Sequence, residues 1–249
     1  DLIDYFDAVQ ACILPCLTDR PLSVIRVRPG QPPFMQKNLP KYTPAWVPTA
    51  PLWAEASRRE VSYALCNDRR TLLWFANQRA VEYHVTLFKL AHPEHPDYLV
   101  LDLDPPEGAD FAVVVHAAQL VRQTLDEVGM AGAVKTSGAK GMHVFVPLAV
   151  GSAPEDVAAA TRAVAARAER IDPDLGTTAF VKEEREGKVF LDSTRVGGAT
   201  VVAAYSPRIR PGVPVSFPVA WEDVDQVLPA DFTVHNAAEL LDGADPWND

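Results

Sequence analysis

The run Leu99 to Pro105, LVLDLDP, constrains this chain more than any other stretch. Apolar Leu99 and Val100 lead into aspartates at positions 102 and 104, separated by Leu103. Successive side chains of a strand point to opposite faces, so Asp102 and Asp104 share one face about 7 Å apart along the chain. Two carboxylates ending a buried apolar strand repel each other and must be solvated or paired. A divalent cation pairs them well, because hard ions such as Mg²⁺ and Mn²⁺ prefer carboxylate oxygen and keep positions for water and phosphate. The plain alternative is a solvated strand end running into the Pro105-Pro106 turn.

Two further stretches weigh on that choice. Lys135-Thr136-Ser137-Gly138-Ala139-Lys140-Gly141-Met142-His143 is a glycine-containing turn between the apolar segments AGAV and MHVFVPL. Gly138 and Gly141 permit backbone conformations that turn N–H groups toward an anion, and Lys140 adds a point charge, the chemistry of a phosphate cradle. The GxxxxGK[ST] spacing of a Walker A loop is absent. Lys188 to Asp192, KVFLD, is another apolar strand ending in a carboxylate, followed by Arg195 and then by YSPRIRPG from Tyr205 to Gly212. Three strand-end carboxylates with a phosphate cradle fit two-metal phosphoryl transfer.

LDLDP, KTSGAKGMHVFVPL, KVFLD and YSPRIRPG, in this order and at these separations, resemble the polymerase domain of bacterial end-joining ligases and of stand-alone ligase-associated primase-polymerases, within the archaeo-eukaryotic primase superfamily. The resemblance runs from DLIDYFDAV at the start to FTVHN near the end. It implies an α/β (α+β) primase-type fold with an RRM-like sheet, an N-terminal lobe over 1–96 and a catalytic sheet with C-terminal extension over 97–249. It also implies nucleotidyl transfer to primer 3′ ends at short gaps or broken, 5′-phosphorylated DNA ends, with NTPs preferred over dNTPs and Mn²⁺ or Mg²⁺ in a two-metal site held by Asp102, Asp104 and Asp192. A DNA ligase and an end-binding protein are expected as partners in trans. Ser137, Gly138, Lys140, Gly141, His143, His84, Arg195, Arg208 and Lys135 are the expected nucleotide contacts. Arg26, Arg28, Phe34 and Lys37 are the expected DNA contacts. Two other readings stay open: a DNA-end binding module without catalysis, and a metal-dependent phosphoesterase.

A net charge of −10 argues against a polyanion ligand until its distribution is considered. From Pro211 onward there are eight acids and no Lys or Arg, whereas Arg20 to Ala54 holds five basic residues and no acid. Local potential steers a polyanion more than net charge does, so strongly salt-sensitive DNA binding is expected. Three cysteines (Cys12, Cys16, Cys66) favour a reducing cytoplasm over a disulfide framework. No run approaches the length of a membrane span. The chain opens without a methionine, and a segment upstream of Asp1 is expected.

Periodicity predicts a helix over Asp1 to Leu17 kinked near Pro15, and a strand over Pro21 to Val27 with Arg26 and Arg28 at its polar end. Phe34-Met35-Gln36-Lys37-Asn38 resembles a family segment that stacks on template bases, with methionine at its second aromatic; a loop aromatic tucked into the core is the alternative. Pro40 to Pro51 reads as irregular loop. Strands are predicted over Val61 to Cys66 and Val81 to Leu87, with Asp68 capping a helix through Asn77. His84 suits either a core histidine or a residue lining the nucleotide site. A helix is predicted from about Asp110 to Val128 with Gly129 as cap, and another over Ala153 to Arg170 with Ser152 and Glu155 as a capping box. Strands alternating with helices from 97 to 192 predict a sheet with helices on one face.

Overall fold

The computed structural model describes residues 1–54, 58–196, 199–241 and 245–247. Helix α1 (Leu2–Ala8) is capped by Asp1, whose carboxylate accepts from the amides of Ile3 and Asp4, and α2 (Gln10–Leu17) follows. The expected single helix therefore breaks at Val9, and Pro15 lies inside α2. Pro15 removes only one amide donor, whereas the break at Val9 lets Phe6, Val9, Ile13 and Leu17 all reach the core.

Strands β1 (Pro21–Arg28), β2 (Gln31–Gln36), β3 (Thr49–Ala54), β4 (Arg59–Leu65) and β5 (Ala80–Thr86) form the first sheet, with α3 (Arg69–Asn77) between β4 and β5. Asp68 caps α3 by accepting from the Thr71 amide at 2.7 Å, as its position predicts. The stretch expected to be irregular ends in β3, which pairs with β4 from Thr49 opposite Ala64 to Ala54 opposite Arg59. Pro51 is tolerated there because β3 is an edge strand, where a missing N–H faces outward.

The second sheet starts with β6 (Tyr98–Asp104), followed by α4 (Phe111–Glu127), β7 (Ala133–Thr136), β8 (Met142–Pro147), α5 (Pro154–Ile171), β9 (Gly176–Thr177) and β10 (Val189–Asp192). The chain then returns to the first sheet as β11 (Thr200–Val202), which pairs with β5, and to the second as β12 (Pro218–Val219), which pairs with β7, before a short α6 (Ala237–Leu240). The second sheet runs β12-β7-β8-β6-β10-β9. Gly129 ends α4 with φ +70°, and Asp110 caps its start. At α5 the predicted box does not form: Ala153 takes the cap position, while Ser152, one residue too early, donates its hydroxyl to the Ala149 carbonyl at 2.9 Å.

The period of two in LVLDLDP now has a spatial meaning. Leu99, Leu101 and Leu103 bury against α4 and α5 together with Met142, Val144, Val146, Val189 and Leu191. The opposite face of the same strands carries Val100, Asp102, Asp104, His143, Phe145, Phe190 and Asp192. A second core lies between α1, α2, α3 and the first sheet and includes Tyr205 and Phe217 from the returning chain. No described helix is long and apolar enough to cross a membrane.

Candidate active site

Register builds the site. Lys135 pairs with His143, His143 with Asp102 and Asp102 with Asp192, so one row of side chains crosses β7, β8, β6 and β10 on the helix-free face. Asp104 lies two residues along β6 on that face, opposite Phe190.

The row is hydrogen-bonded from end to end. Lys135 is fully buried, with Nζ 2.8 Å from His143 Nδ1 and 2.5 Å from Ser216 Oγ, which itself donates to the Thr136 carbonyl at 2.8 Å. His143 Nε2 lies 3.2 Å from Asp102 Oδ1. A donor at Nδ1 and a carboxylate at Nε2 together assign the neutral tautomer protonated on Nε2. Burial, reinforced by the neighbouring Lys135, pushes the His143 imidazole down to about 4. Lys135 itself is pushed well below the usual ammonium range, by burial first and by Arg208 next. Although the sequence reading gives Lys135 to the nucleotide, its place behind His143 suits it to hold that ring.

Arg195 sits among the carboxylates. Its Nη2 lies 2.5 Å from Asp102 Oδ2 and 3.0 Å from Asp192 Oδ2. Asp192 also accepts from the Thr194 amide and hydroxyl, at 2.8 and 2.6 Å. Burial works to raise the Asp102 carboxyl, but His143 and Arg195 outweigh it and hold the group below the ordinary range. Asp104 moves the other way: burial raises it, and the negative charge of Asp102 adds to the effect. Among the described residues no three His, Cys, Asp or Glu side chains form a ready cage for a metal. The donor set nevertheless fits a hard divalent cation, since three carboxylates share one face and a guanidinium bridges two of them. The Nε of Arg195 is buried without a protein hydrogen-bond partner, so this guanidinium keeps a donor to offer.

The loop from Ser137 to Gly141 closes above this face. It differs from the expected cradle: the amides of Ala139 and Gly141 donate inward to Ser137 Oγ, at 3.2 and 3.1 Å, rather than outward to an anion. The Ser137 hydroxyl proton and the exposed Lys140 ammonium, which reaches the Pro105 carbonyl at 3.2 Å, are the groups the loop can present. Both glycines are sterically required. A Cβ on Gly141 would lie 2.2 Å from the Leu103 carbonyl oxygen, and one on Gly138, at φ +66°, would lie 2.6 Å from the Arg208 side chain.

Arg208 joins the two sheets. Its Nη1 donates to the Ser137 carbonyl at 2.6 Å, and its Nε lies 3.1 Å from Glu82 Oε2 without hydrogen-bond alignment. Glu82 also holds His84 Nε2 at 3.0 Å and accepts from the Ile209 amide at 2.9 Å. Thus His84, on β5, connects to the cradle through Glu82 and Arg208. A cavity of about 400 Å³ beside the loop is lined by Ala139, Lys140, Arg210 and Gly212.

A family model described as LigD, primase-polymerase domain, matches residues 1–247. The chain belongs to that family. The LigD primase-polymerase domains are DNA/RNA nucleotidyltransferases of the primase-polymerase type, and the resemblance read from the four motifs is borne out. This chain is 34% identical over 246 residues to the Bacillus subtilis bifunctional non-homologous end joining protein LigD, covering 97% of this chain and 39% of that protein. It is 38% identical over 175 residues to the Pseudomonas aeruginosa multifunctional non-homologous end joining protein LigD, covering 68% of this chain and 21% of that one. The chain therefore spans two fifths or less of these relatives. Among solved structures it resembles the polymerase domain from Mycobacterium tuberculosis ligase D in complex with DNA, with TM-score 0.88 and 30% identity over 98% of this chain and 88% of that one. The mixed α/β fold with two sheets agrees with that structure.

Sequence reading missed Glu82, Ser216 and Thr194. Glu82 left a signal, a carboxylate two residues before His84 on one strand face. Ser216 and Thr194 left none, because a hydroxyl's partner is set by tertiary approach. Of the expected DNA contacts, Lys37 is exposed just after β2 and Phe34 is half-buried under Arg28, whose guanidinium lies 4.5 Å from the ring centre. Arg26 is buried.

Proposed function

We propose that this chain adds nucleotides, ribonucleotides in preference, to primer 3′ ends at short gaps or broken ends during end joining of DNA. The carrying observation is the continuous row Lys135–His143–Asp102–Asp192 with Asp104 beside it, facing a loop that Arg208 ties to Glu82. Asp102, Asp104 and Asp192 would hold Mn²⁺ or Mg²⁺. When bound, such ions lower the pKa of an attacking hydroxyl and steady the leaving oxygens. The chain's own contribution is placement: Ser137, Lys140, Arg195 and Arg208 present donors to the triphosphate through charge-assisted hydrogen bonds, His143 steadies Asp102 behind them, and His84 lines the nucleotide beside them. Arg28, Phe34 and Lys37 approach the DNA, with the buried Arg26 behind them. The M. tuberculosis polymerase domain was solved in complex with DNA, and the LigD relatives are named for end joining; both support this assignment. A DNA ligase and an end-binding protein are the expected partners, and the cytoplasm the expected location.

The test is extension of a labelled primer across a short 5′-phosphorylated gap with Mn²⁺ and each NTP or dNTP, beside Asp104→Ala. Addition of the complementary nucleotide, preferentially an NTP, by the parent chain and its loss in the variant are expected. Retention of the gapped DNA with no addition would replace this reading with that of a binding module, and shortening of the primer with that of a phosphoesterase.

A further inference from the structure

A second charged cavity lies away from the carboxylates, at the end of the first sheet where the β1–β2 turn meets the α3–β5 turn. It measures about 420 Å³ and is lined by Arg26, Arg28, Gln31, Asn77, Gln78 and Arg79, with Val27 and Pro29 between them. Three of these residues carry guanidinium groups and no carboxylate lines the space.

Arg26 is the decisive member. It is 7% exposed, yet its guanidinium meets only neutral acceptors: the Gln78 carbonyl at 2.8 Å, Gln36 Oε1 at 2.6 Å, the Tyr42 hydroxyl at 3.1 Å and Gln78 Oε1 at 3.3 Å. Among the described residues no acid lies within ion-pair distance of Arg26, Arg28 or Arg79. A buried cation without a counter-charge is costly to keep, and its field emerges through the cavity.

Arg79 adds a backbone observation. Its φ is +60°, a left-handed conformation at the end of α3 that favours glycine or asparagine. That turn is fixed, because the Arg79 carbonyl accepts from the Val27 amide at 3.1 Å and its amide donates to the Ala76 carbonyl at 2.9 Å. The fixed turn holds the exposed Arg79 side chain at the rim of the cavity, where its cation has no carboxylate partner among the described residues. By volume the cavity lies in the range of small-ligand sites, large enough for one nucleotide unit. It mixes guanidinium donors for phosphate with the side-chain amides of Gln31, Asn77 and Gln78, which suit base edges or sugar. A base paired in a duplex has its Watson–Crick edge already taken, so only an unpaired one offers that edge to these amides.

We propose that this cavity binds one unpaired nucleotide of a DNA strand, with its phosphodiester on Arg28 and Arg79 under the field of Arg26. The inference rests on the polymerase reading and adds a subsite for the unpaired strand next to the duplex.

Arg79→Gly tests it cleanly, since glycine removes the cation and accepts the positive φ. Binding is read by fluorescence anisotropy on a duplex with a short single-stranded overhang and on the same duplex made blunt, across a salt series, with a thermal melt as control. The expected result is about a fivefold loss of affinity for the overhang substrate, a salt slope shallower by about 0.7, less than about a twofold change on blunt DNA, and an unlowered Tm. Arg28→Ala, at a residue that also approaches the duplex, is expected to weaken overhang binding at least as much, and the comparison between the two DNAs is scored on Arg79→Gly alone. Unchanged overhang affinity, or equal losses on both DNAs, would overturn the proposal, as would competition by free mononucleotide as effective as that by an oligonucleotide. The polymerase reading fails separately: it falls if the parent chain extends no primer, an outcome scored on a different assay from the effect of Arg79→Gly on binding.

Discussion

Gly141→Ala isolates the distance between the cradle and the carboxylates. An added Cβ would lie 2.2 Å from the Leu103 carbonyl oxygen, where real contacts essentially never fall under 3.0 Å, so something must retreat by about 0.8 Å. Leu103 cannot give way readily, because its strand is paired on both sides, with Met142 and with Leu191, and its side chain is fully buried. The loop must move, and it carries Ser137 with it, since the Ser137 amide donates to the Gly141 carbonyl at 2.9 Å and Ser137 Oγ accepts from the Gly141 amide. Overpacking of this kind costs about 1–3 kcal/mol of stability. Misplacing a substrate-holding group by about 1 Å costs roughly a hundredfold in rate. The assay is single-turnover primer extension at saturating nucleotide, paired with thermal denaturation. Gly108→Ala is the control: it has φ +77° with nothing within 4 Å of the new Cβ, so it should cost about 1 kcal/mol and leave extension intact. Extension by Gly141→Ala within about threefold of the parent chain would refute the claim that loop-to-strand distance sets the chemistry.

Arg195→Met leaves Asp102, Asp104 and Asp192 without the guanidinium that spans two of them; the metal-free protein should lose about 1–3 kcal/mol, and Mn²⁺ should raise its Tm by more than it raises the parent's. In Glu82 burial works to raise the carboxyl, but His84, the Ile209 amide and Arg208 outweigh it, so its folded pKa lies below the ordinary 4.5. Its contribution to stability is therefore full above that value and lost as pH falls through the folded one, and Glu82→Gln should flatten the acid limb of a urea-denaturation pH series. The same variant frees Arg208 from its carboxylate and should change nucleotide KM more than kcat. Lys135→Met removes the donor that fixes the His143 tautomer; it should lower kcat at least about tenfold with little change in DNA affinity, read by extension and anisotropy in parallel.

The second sheet was legible because its constraints are local. Strand alternation put Asp102 and Asp104 on one face before any fold was known, and KVFLD announced a third carboxylate of the same kind. Which residue of that strand would stand beside which aspartate is a matter of register, which depends on two strands at once. Asp192 opposite Asp102, and Lys135 in line with His143, follow only from pairing. The cradle was recognised by its glycines, yet the direction of its amides was not, because Ser137 Oγ competes for them. Propensity failed at Val9 and at β3 for a shared reason: tertiary burial and edge pairing overrode the signals of Pro15 and Pro51. Arg26 read as a polar strand end, but its guanidinium lies inside, reached through Gln36, Tyr42 and Gln78 from three separate segments.

The return of the chain to the first sheet explains how one arginine can serve both halves of the site. β11 pairs with β5, placing Val202 opposite His84, and the backbone then turns at Tyr205, whose φ of +64° is held by its amide donating to the Ser216 carbonyl at 2.7 Å. Three residues later Arg208 lies between Glu82 of the first sheet and the Ser137 carbonyl above the second. The bonds that align the two sheets are thus the bonds that position the donors of the cradle, and Arg208 keeps a buried Nε without an aligned partner. An anion bound beside it gains that donor without displacing the Ser137 contact. Nucleotide binding should accordingly stiffen the junction between the sheets, protecting the amides of Ile209 and Arg208 from hydrogen exchange more than those of the α4–α5 layer, and equal protection across both regions would show that Arg208 carries no such coupling.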